Sequence, residues 1–182
     1  MKKICDKSIY KLISITRNKK TLSLTNKIFK IDDFNFIIPN LYLGNIKSAS
    51  NLNFLQDKKI EAIVNCTEKE EFSEYFNDKL KFRLTINDSK NTDNINKFKE
   101  EIINSINFID TCINENKCVY VHCYWGLMRS ATVVAAFLMK KYNINHKEAI
   151  KIIKNQRPSA IASYYNFNEV LIYVENFLKN KN

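Results

Sequence analysis

The feature that most constrains this chain is a short apolar run, Val119-Tyr120-Val121, that leads into a polar loop and then into a segment with helical periodicity. Similar apolar runs at 62–66 and 82–86 read as strands, and the second of them ends at a polar loop over 87–94. Residues 95–114 then place apolar side chains on one helical face. Strands that alternate with helices predict an α/β fold, in which a central, mainly parallel, twisted sheet is flanked by helices on both faces.

The same patterns predict the remaining elements. Residues 37–44 read as one strand with a turn on each side, and residues 46–57 read as a helix. Helices are also predicted over a short N-terminal segment and over three C-terminal segments: 5–16, 129–142, 146–156 and 165–179.

Positive charge is concentrated at the N-terminus. Residues 1–30 contain nine Lys or Arg side chains and one acidic residue, Asp6, whereas the whole chain has a net charge of +10. The sequence therefore predicts a basic N-terminal helix or arm over 1–30 and one domain over 31–182. The arm could bind nucleic acid or anionic lipid, form a homodimer contact, act as a mitochondrial-type presequence, or be a solvated amphipathic helix.

Several classes of protein are poorly supported. No apolar run approaches the roughly 18 residues of a membrane span, and the N-terminus lacks the apolar region of a secretory signal. The five cysteines are dispersed without a CxxC pair, and the chain has only two histidines. We therefore expect an intracellular, cytoplasmic protein without a disulfide scaffold, a metal site or an organic cofactor.

Glycine and arginine are scarce. Lysine outnumbers arginine 25 to 4, and Gly44 and Gly126 are the only glycines. Such a composition is typical of AT-rich coding sequence. Under that bias, we expect the few glycines and arginines to meet a structural or chemical need.

The loop after Val121 carries the chemistry. Cys123 follows the predicted strand, and the next helix begins near Arg129. Successive backbone N–H groups at a helix N-terminus form an anion site, which also favours a cysteine thiolate. Arg129 can hold two phosphate oxygens with its planar guanidinium, and Gly126 provides the backbone freedom to curl around the ligand.

The pattern His-Cys-x-x-Gly-x-x-Arg-Ser over 122–130 resembles the phosphate loop of the cysteine-dependent protein tyrosine phosphatase superfamily. Further segments resemble its dual-specificity branch, of the small atypical type. They are Leu41-Tyr42-Leu43-Gly44, Ile63-Val64-Asn65, Asn87-Asp88 with Asn94-Ile95, Ser130-Ala131-Thr132, Glu148-Ala149 and Arg157-Pro158. The resemblance covers about residues 36–178.

The resemblance implies a role for each matching residue. Cys123 is expected to be the nucleophile, Ser130 to assist departure of the sulfur, and Asp88 to be the general acid. His122 is expected to orient the loop, although it could also be only a core residue, and Asp93 is the rival acid. The expected phosphate-binding residues are Tyr124, Trp125, Gly126, Leu127, Met128 and Arg129.

Some positions depart from the pattern. Trp125 stands where the superfamily usually has a small residue, so its ring could shape the pocket wall or pack beneath the loop. Residues 159–166 replace the usual Pro-Asn segment. No lysine lies inside the loop, which argues against the phosphoinositide branch. Cys66 could form a disulfide with Cys123, but a buried structural thiol is the simpler interpretation.

The sequence thus predicts a protein phosphatase that acts on phosphotyrosine and on phosphoserine or phosphothreonine in phosphoprotein substrates. The alternative enzyme is an RNA 5′-triphosphatase or diphosphatase, which uses the same Cys-x5-Arg loop and which the basic arm would suit. That arm has no interleaving of aromatic residues typical of a nucleic-acid stacking platform, so a nucleic-acid partner is disfavoured but not excluded. A third alternative is a noncatalytic module that binds phosphoproteins.

Overall fold

The computed structural model describes residues 32–89, 91–162 and 167–180. Within them, five strands form one sheet with the order β1-β2-β5-β3-β4. β1 pairs antiparallel with β2, and the other three pairs are parallel, which confirms the predicted mainly parallel sheet. The strands are β1 (Phe34–Ile38), β2 (Leu41–Gly44), β3 (Ile60–Asn65), β4 (Leu80–Arg83) and β5 (Cys118–His122).

Helices cover both faces of this sheet, as predicted. They are α1 (Ile46–Ala49), α2 (Leu52–Asp57), α3 (Thr92–Asn114), α4 (Arg129–Tyr142), α5 (His146–Gln156) and α6 (Asn168–Lys179). A short 3₁₀ turn spans Glu74–Phe76. α3 to α6 pack on one face around the larger apolar core, while α1, α2 and the 3₁₀ turn cover a smaller core on the other. Among the described residues, no helix is both long and apolar enough to cross a membrane.

The strand β5 shows why the site lies where it does. Val119 and Val121 face the larger core and Tyr120 faces the smaller one, as the two-residue period of a strand requires. His122, at the end of β5, pairs with Gly44 of β2 and with Asn65 of β3. Because these strands are parallel, the loops that leave them meet at one edge of the sheet.

Two predicted elements are each divided in two. The single strand predicted over 37–44 is wrong, because Pro39 and Asn40 form a turn between β1 and β2. Asn40 has a φ of 62°, a left-handed conformation that asparagine tolerates. The helix predicted over 46–57 is also interrupted, since the side chain of Asn51 accepts a hydrogen bond from the Phe54 N–H and begins a new helix.

Other differences concern boundaries. β4 ends at Arg83 rather than at Ile86, because its neighbour β3 ends at Asn65 and offers no further partner. α3 begins at Thr92, where the side chain of Asn91 caps it. The basic arm over 1–30 and its predicted helix lie outside the described residues. The division at residue 30 and a homodimer through that helix therefore stay predictions.

Candidate active site

Cys123 lies directly after β5 and is almost fully buried, with 1% of its surface exposed. Its Sγ accepts two hydrogen bonds, one from the backbone N–H of Gly126 at 3.2 Å and one from the hydroxyl of Ser130 at 3.2 Å. Donors that point at a sulfur favour its thiolate form, which is the nucleophilic form of cysteine. The fold thus directs two hydrogen-bond donors at the sulfur of Cys123.

The residues 123–129, here called the phosphate loop, have their outward carbonyls held from outside the loop. Four successive carbonyls each accept a hydrogen bond from a donor elsewhere in the chain. The pairs are Tyr124 with the Ile46 N–H (3.2 Å), Trp125 with Arg157 Nη2 (3.1 Å), Gly126 with Arg157 Nε (2.8 Å) and Leu127 with the Ile161 N–H (2.9 Å).

These bonds determine where the loop's N–H groups point. In a trans peptide the C=O and the N–H point in opposite directions, and the described residues include no cis peptide. The N–H groups that follow the four carbonyls, from Trp125 to Met128, therefore face the inner side of the loop. The Gly126 N–H, which reaches Cys123 Sγ, shows that direction. A ring of N–H groups that continues into the N-terminus of α4 can hold a tetrahedral anion.

The two glycines of the chain lie against each other beneath this loop. Gly126 has a φ of 69°, and a Cβ there would collide with the carbonyl of Gly44. A Cβ on Gly44 would collide in turn with the Tyr120 hydroxyl and with the Asp33 carbonyl. The scarcity of glycine in the composition was therefore informative, because both residues allow a close approach of backbones at the site.

Arg129 begins α4 and is buried, with 8% of its surface exposed. Its Nη1 donates to the Ile86 carbonyl at 3.1 Å, and its Nη2 lies 3.7 Å from the carboxylate of Asp88. Its Nε is buried and has no hydrogen-bond partner among the described residues. A buried donor without a partner costs about 1–3 kcal/mol. A phosphate oxygen in the loop would satisfy it.

Asp88 lies in the segment 84–89, here called the acid loop, and its side chain is 39% exposed. The loop is positioned by Asn94, whose amide accepts from the Asn87 N–H at 2.9 Å and donates to the carbonyls of Asn87 at 2.7 Å and Ser89 at 3.2 Å. Asp93 is exposed in the first turn of α3. Of the two carboxylates, it is Asp88 that forms the ion pair with Arg129.

Asp88 and Cys123 line the same cavity, which has a volume of about 240 Å³. The cavity combines a carboxylate, a thiol and a mostly apolar wall. Its other lining residues are Trp125, Leu127, Met128, Ser159 and Ala162. Of the two interpretations of Trp125, the structure therefore supports the one in which the ring shapes the pocket wall.

His122 is buried at the end of β5, and its ring stacks on that of Tyr120 with centroids 5.7 Å apart. Burial lowers the pKa of His122 to about 4, so the imidazole is neutral at pH 7. Its Nδ1 has no hydrogen-bond partner among the described residues. The expected role of His122 in orienting the loop stays a prediction.

Arg157 is the residue whose role the sequence analysis missed. It is 2% exposed, and besides the two carbonyls of the phosphate loop it donates to the Asp32 carbonyl at 2.8 Å and to Asn35 Oδ1 at 2.6 Å. The scarcity of arginine was the available signal. Arg83 and Arg129 likewise donate to backbone carbonyls of loops at this edge of the sheet.

Cys66 follows β3, and its N–H donates to the His122 carbonyl at 2.8 Å. The side chain is fully buried, and burial raises the pKa of its thiol well above the usual value. The charge of Cys123 acts in the same direction. Cys66 therefore stays protonated beside Cys123, in keeping with a buried structural thiol.

Comparisons with known proteins agree with this geometry. Residues 41–177 match the family described as "Dual specificity phosphatase, catalytic domain". The chain is 32% identical to human dual specificity protein phosphatase 16 over 149 residues and 34% identical to human dual specificity protein phosphatase 9 over 144 residues. These alignments cover 80% and 79% of this chain, but only 21% and 36% of the relatives.

The fold is similar to that of solved structures in the same group. The crystal structure of human DUSP28 superposes with a TM-score of 0.72 at 20% identity, covering 81% of this chain and 96% of that one. This likeness supports the fold alone, whereas the match over residues 41–177 identifies the family. The chain belongs to the dual specificity phosphatase family.

Proposed function

We propose that this protein is a phosphatase that hydrolyses phosphotyrosine and phosphoserine or phosphothreonine in proteins through a phosphocysteine intermediate. The observation that carries the proposal is the arrangement around Cys123. Its sulfur accepts two hydrogen bonds, faces a ring of N–H groups and shares a cavity with the carboxylate of Asp88.

In the first step, the Cys123 thiolate attacks phosphorus. A sulfur–phosphorus bond forms while the bond between phosphorus and the ester oxygen breaks. Asp88 gives its proton to the departing oxygen, so that a neutral alcohol or phenol leaves. The loop N–H groups and the Arg129 guanidinium hold the three equatorial oxygens, where negative charge develops.

In the second step, water attacks the phosphocysteine. Asp88, now a carboxylate, takes the proton from the water, and the sulfur–phosphorus bond breaks to release inorganic phosphate. The Ser130 hydroxyl, 3.2 Å from Sγ, stabilises the departing thiolate. The enzyme returns to its initial state, with Asp88 protonated and Cys123 as a thiolate.

The substrate and the location belong to the same proposal. The substrate is a phosphoprotein, since the chain belongs to a family of protein phosphatases. The activity is cytoplasmic, because the chemistry requires a reduced Cys123 and the cytosol keeps thiols reduced.

The test is turnover of p-nitrophenyl phosphate and of phosphopeptides by the wild type and by Cys123→Ser. We expect Cys123→Ser to lose more than ~10³-fold in turnover, because a serine hydroxyl is a poor nucleophile at neutral pH. It should still bind inorganic phosphate, since the loop N–H groups and Arg129 remain. Wild-type turnover should be inhibited by orthovanadate and be indifferent to EDTA.

Three results would contradict the proposal. Substantial turnover by Cys123→Ser would remove Cys123 from the mechanism. An inactive wild type that binds phosphopeptides would indicate a noncatalytic module. A preference for RNA 5′-triphosphate ends over phosphopeptides would indicate the RNA enzyme.

A further inference from the structure

Two aromatic side chains stand exposed beside the nucleophile. Tyr124 is 46% exposed and Trp125 is 59% exposed, although both lie within a few residues of the fully enclosed Cys123. Their rings contact each other edge to face, with centroids 5.2 Å apart and an angle of 74° between the planes. Adjacent exposed apolar groups often mark a ligand-binding surface, and Trp125 lines the cavity, so this pair of rings is a candidate for contact with a ligand.

The backbone beneath this pair is fixed. The Tyr124 carbonyl accepts a hydrogen bond from the Ile46 N–H, and the Trp125 carbonyl accepts one from the buried guanidinium of Arg157. The backbone that carries the rings is therefore fixed before a ligand arrives, and the edge-to-face contact between the two rings restricts their torsions further. Such preorganisation lowers the entropy cost of binding.

The shape of the cavity adds a second observation. Cys123 is 1% exposed and forms the floor, whereas Trp125 lines the wall together with Leu127, Met128 and Ala162. A phosphate that reaches the floor must be followed by a group that passes this apolar wall. In phosphotyrosine that group is a flat aromatic ring. In phosphoserine or phosphothreonine, only one carbon separates the phosphate ester from the peptide backbone, whose polar groups would have to approach the wall.

We propose that Trp125 is a specificity-determining residue that makes this enzyme prefer phosphotyrosine, by packing its indole against the phenyl ring of the substrate. The proposal rests on the proposed function, because it assigns the substrate class of the same site. Tyr124 supports the indole through its edge-to-face contact. Trp125 takes no part in bond making, so its removal changes the choice of substrate rather than the chemistry.

The experiment uses two peptides with identical flanking residues, one with phosphotyrosine and one with phosphothreonine. The quantity measured is the ratio of their kcat/KM values, for the wild type and for Trp125→Ala, Trp125→Leu and Trp125→Phe. An aromatic contact of this kind corresponds to a roughly 2–10-fold change in affinity. We expect Trp125→Ala and Trp125→Leu to lower the ratio about 2–10-fold through loss on phosphotyrosine, and Trp125→Phe to retain most of it.

The matched control is Tyr173→Ala. Tyr173 is an exposed aromatic residue of α6, 38% exposed, and does not line the cavity. Its removal should leave the ratio unchanged. Comparing ratios also cancels the intrinsic difference between the two leaving groups, since that difference is the same in every variant.

A binding measurement provides an independent readout. Trp125 is the only tryptophan of the chain, so the intrinsic fluorescence of Cys123→Ser reports on the site directly. We expect the phosphotyrosine peptide to change the indole emission and to bind about 2–10-fold more tightly than it does to a Cys123→Ser/Trp125→Ala double variant. The affinity of that double variant is measured by calorimetry. The phosphothreonine peptide should bind both variants alike.

Two failures can be told apart. If the wild type turns over both peptides in a Cys123-dependent way but Trp125→Ala leaves their ratio unchanged, the role of Trp125 is refuted while the proposed function stands. If the wild type turns over neither peptide, or prefers an RNA 5′-triphosphate end, the proposed function fails and this inference fails with it.

Discussion

The phosphate loop and the acid loop meet at one edge of the sheet but are built differently. The phosphate loop has a fixed backbone around a buried cysteine: Cys123 is 1% exposed, and four successive carbonyls of the loop are held from outside. The acid loop leaves Asp88 39% exposed, and the residues on either side of Asp88 are held by the amide of Asn94. One loop is a rigid cradle, while the other presents a carboxylate to solvent.

The difference matches what the proposed mechanism requires of each loop. Stabilising developing charge requires donors that need no rearrangement at the moment of reaction, which a rigid cradle provides. A general acid must reach the ester oxygen of leaving groups that differ in size, and it must exchange its proton with water. Substitutions that disturb the phosphate loop should therefore lower turnover of every substrate by the same factor. The effect of substitutions in the acid loop should instead depend on the leaving group.

The largest expected effect in this comparison is that of Asp88→Asn. Serine and threonine alkoxides are strongly basic leaving groups and need a proton, whereas nitrophenolate departs with little help. We expect kcat on phosphoserine or phosphothreonine peptides to fall on the order of 10²–10⁴-fold, the usual contribution of a positioned acid, and kcat on p-nitrophenyl phosphate to change little. Steady-state kinetics on the three substrates measure this.

Asp93→Asn is the control for that variant. Asp93 is exposed on α3 and should be replaceable with little effect on any substrate. Small and equal effects of Asp88→Asn on all leaving groups would exclude Asp88 as the acid. They would also favour the RNA enzyme, because a phosphate that departs from a triphosphate end needs no proton.

Arg157→Met should affect the other loop. It leaves the carbonyls of Trp125 and Gly126 without their donor, so the N–H groups that follow them are no longer aimed inward. We expect kcat/KM to fall roughly 10–100-fold, as for loss of positioned donors, and by the same factor on p-nitrophenyl phosphate and on phosphopeptides. A loss confined to poor leaving groups would show that Arg157 acts through the acid loop instead.

Folding of that variant can be checked separately. Arg157→Met leaves the carbonyls of Trp125 and Gly126 without a donor, and a buried polar group left unsatisfied costs about 1–3 kcal/mol, so the variant should also be less stable to urea. Arg157→Lys retains the charge but not the fork of donors, and should be more stable than Arg157→Met while remaining kinetically impaired. An Arg157→Lys enzyme with normal kcat/KM would contradict the assigned role.

Much of this comparison could be predicted from the sequence, and the rest could not for identifiable reasons. Cys123, Arg129 and Gly126 lie within one short segment, so their proximity follows from chain order. Arg157 lies 31 residues after Gly126 in the chain and is brought to the loop by the packing of α5. A local sequence pattern does not show which residues so far apart come into contact. The rarity of arginine in the chain indicated that Arg157 has a structural or chemical role, but it did not indicate which groups Arg157 contacts.

The errors in secondary structure have a similar origin. The boundaries of α4 and α5 were predicted at 129–142 and 146–156, and the structure confirms them. β4 was predicted two residues too late at its start and three too late at its end, because the extent of an edge strand depends on its partner β3. The turn at Pro39 and Asn40 was signalled by its residue types, but both residues were read as the interior of one strand over 37–44.

The burial of His122 at the end of β5, next to the phosphate loop, also predicts a sensitivity to acid. The pKa of His122 falls from 6.5 to about 4 on folding, because burial penalises the imidazolium. The unfolded chain therefore takes up the proton first, and stability is full above pH 6.5 and declines as the pH falls towards 4. The free energy of unfolding should lose about 3 kcal/mol across this range from His122 alone.

Urea denaturation at pH 7 and at pH 4.5 tests this point, with His122→Asn as the comparison. The variant should be less stable than the wild type at pH 7 but should lose less stability on acidification, since asparagine does not titrate. An identical loss in both proteins would show that His122 does not control the acid sensitivity of the fold.

The smallest expected effect is that of Asn94→Ala in the acid loop. The variant removes three hydrogen bonds to Asn87 and Ser89 but leaves Asp88 itself in place. Each such bond contributes about 1 kcal/mol, and part of that is recovered from water because the loop is half exposed. We expect a roughly 3–10-fold loss of kcat on phosphothreonine peptides and almost none on p-nitrophenyl phosphate, the pattern of Asp88→Asn in weaker form.

Asn91→Ala is the matched control, because Asn91 caps the same helix but makes none of these bonds. It should lower the melting temperature through the lost cap without changing the ratio of the two activities. If Asn91→Ala shifted that ratio as much as Asn94→Ala, the position of Asp88 would depend on the helix end as a whole rather than on the amide of Asn94.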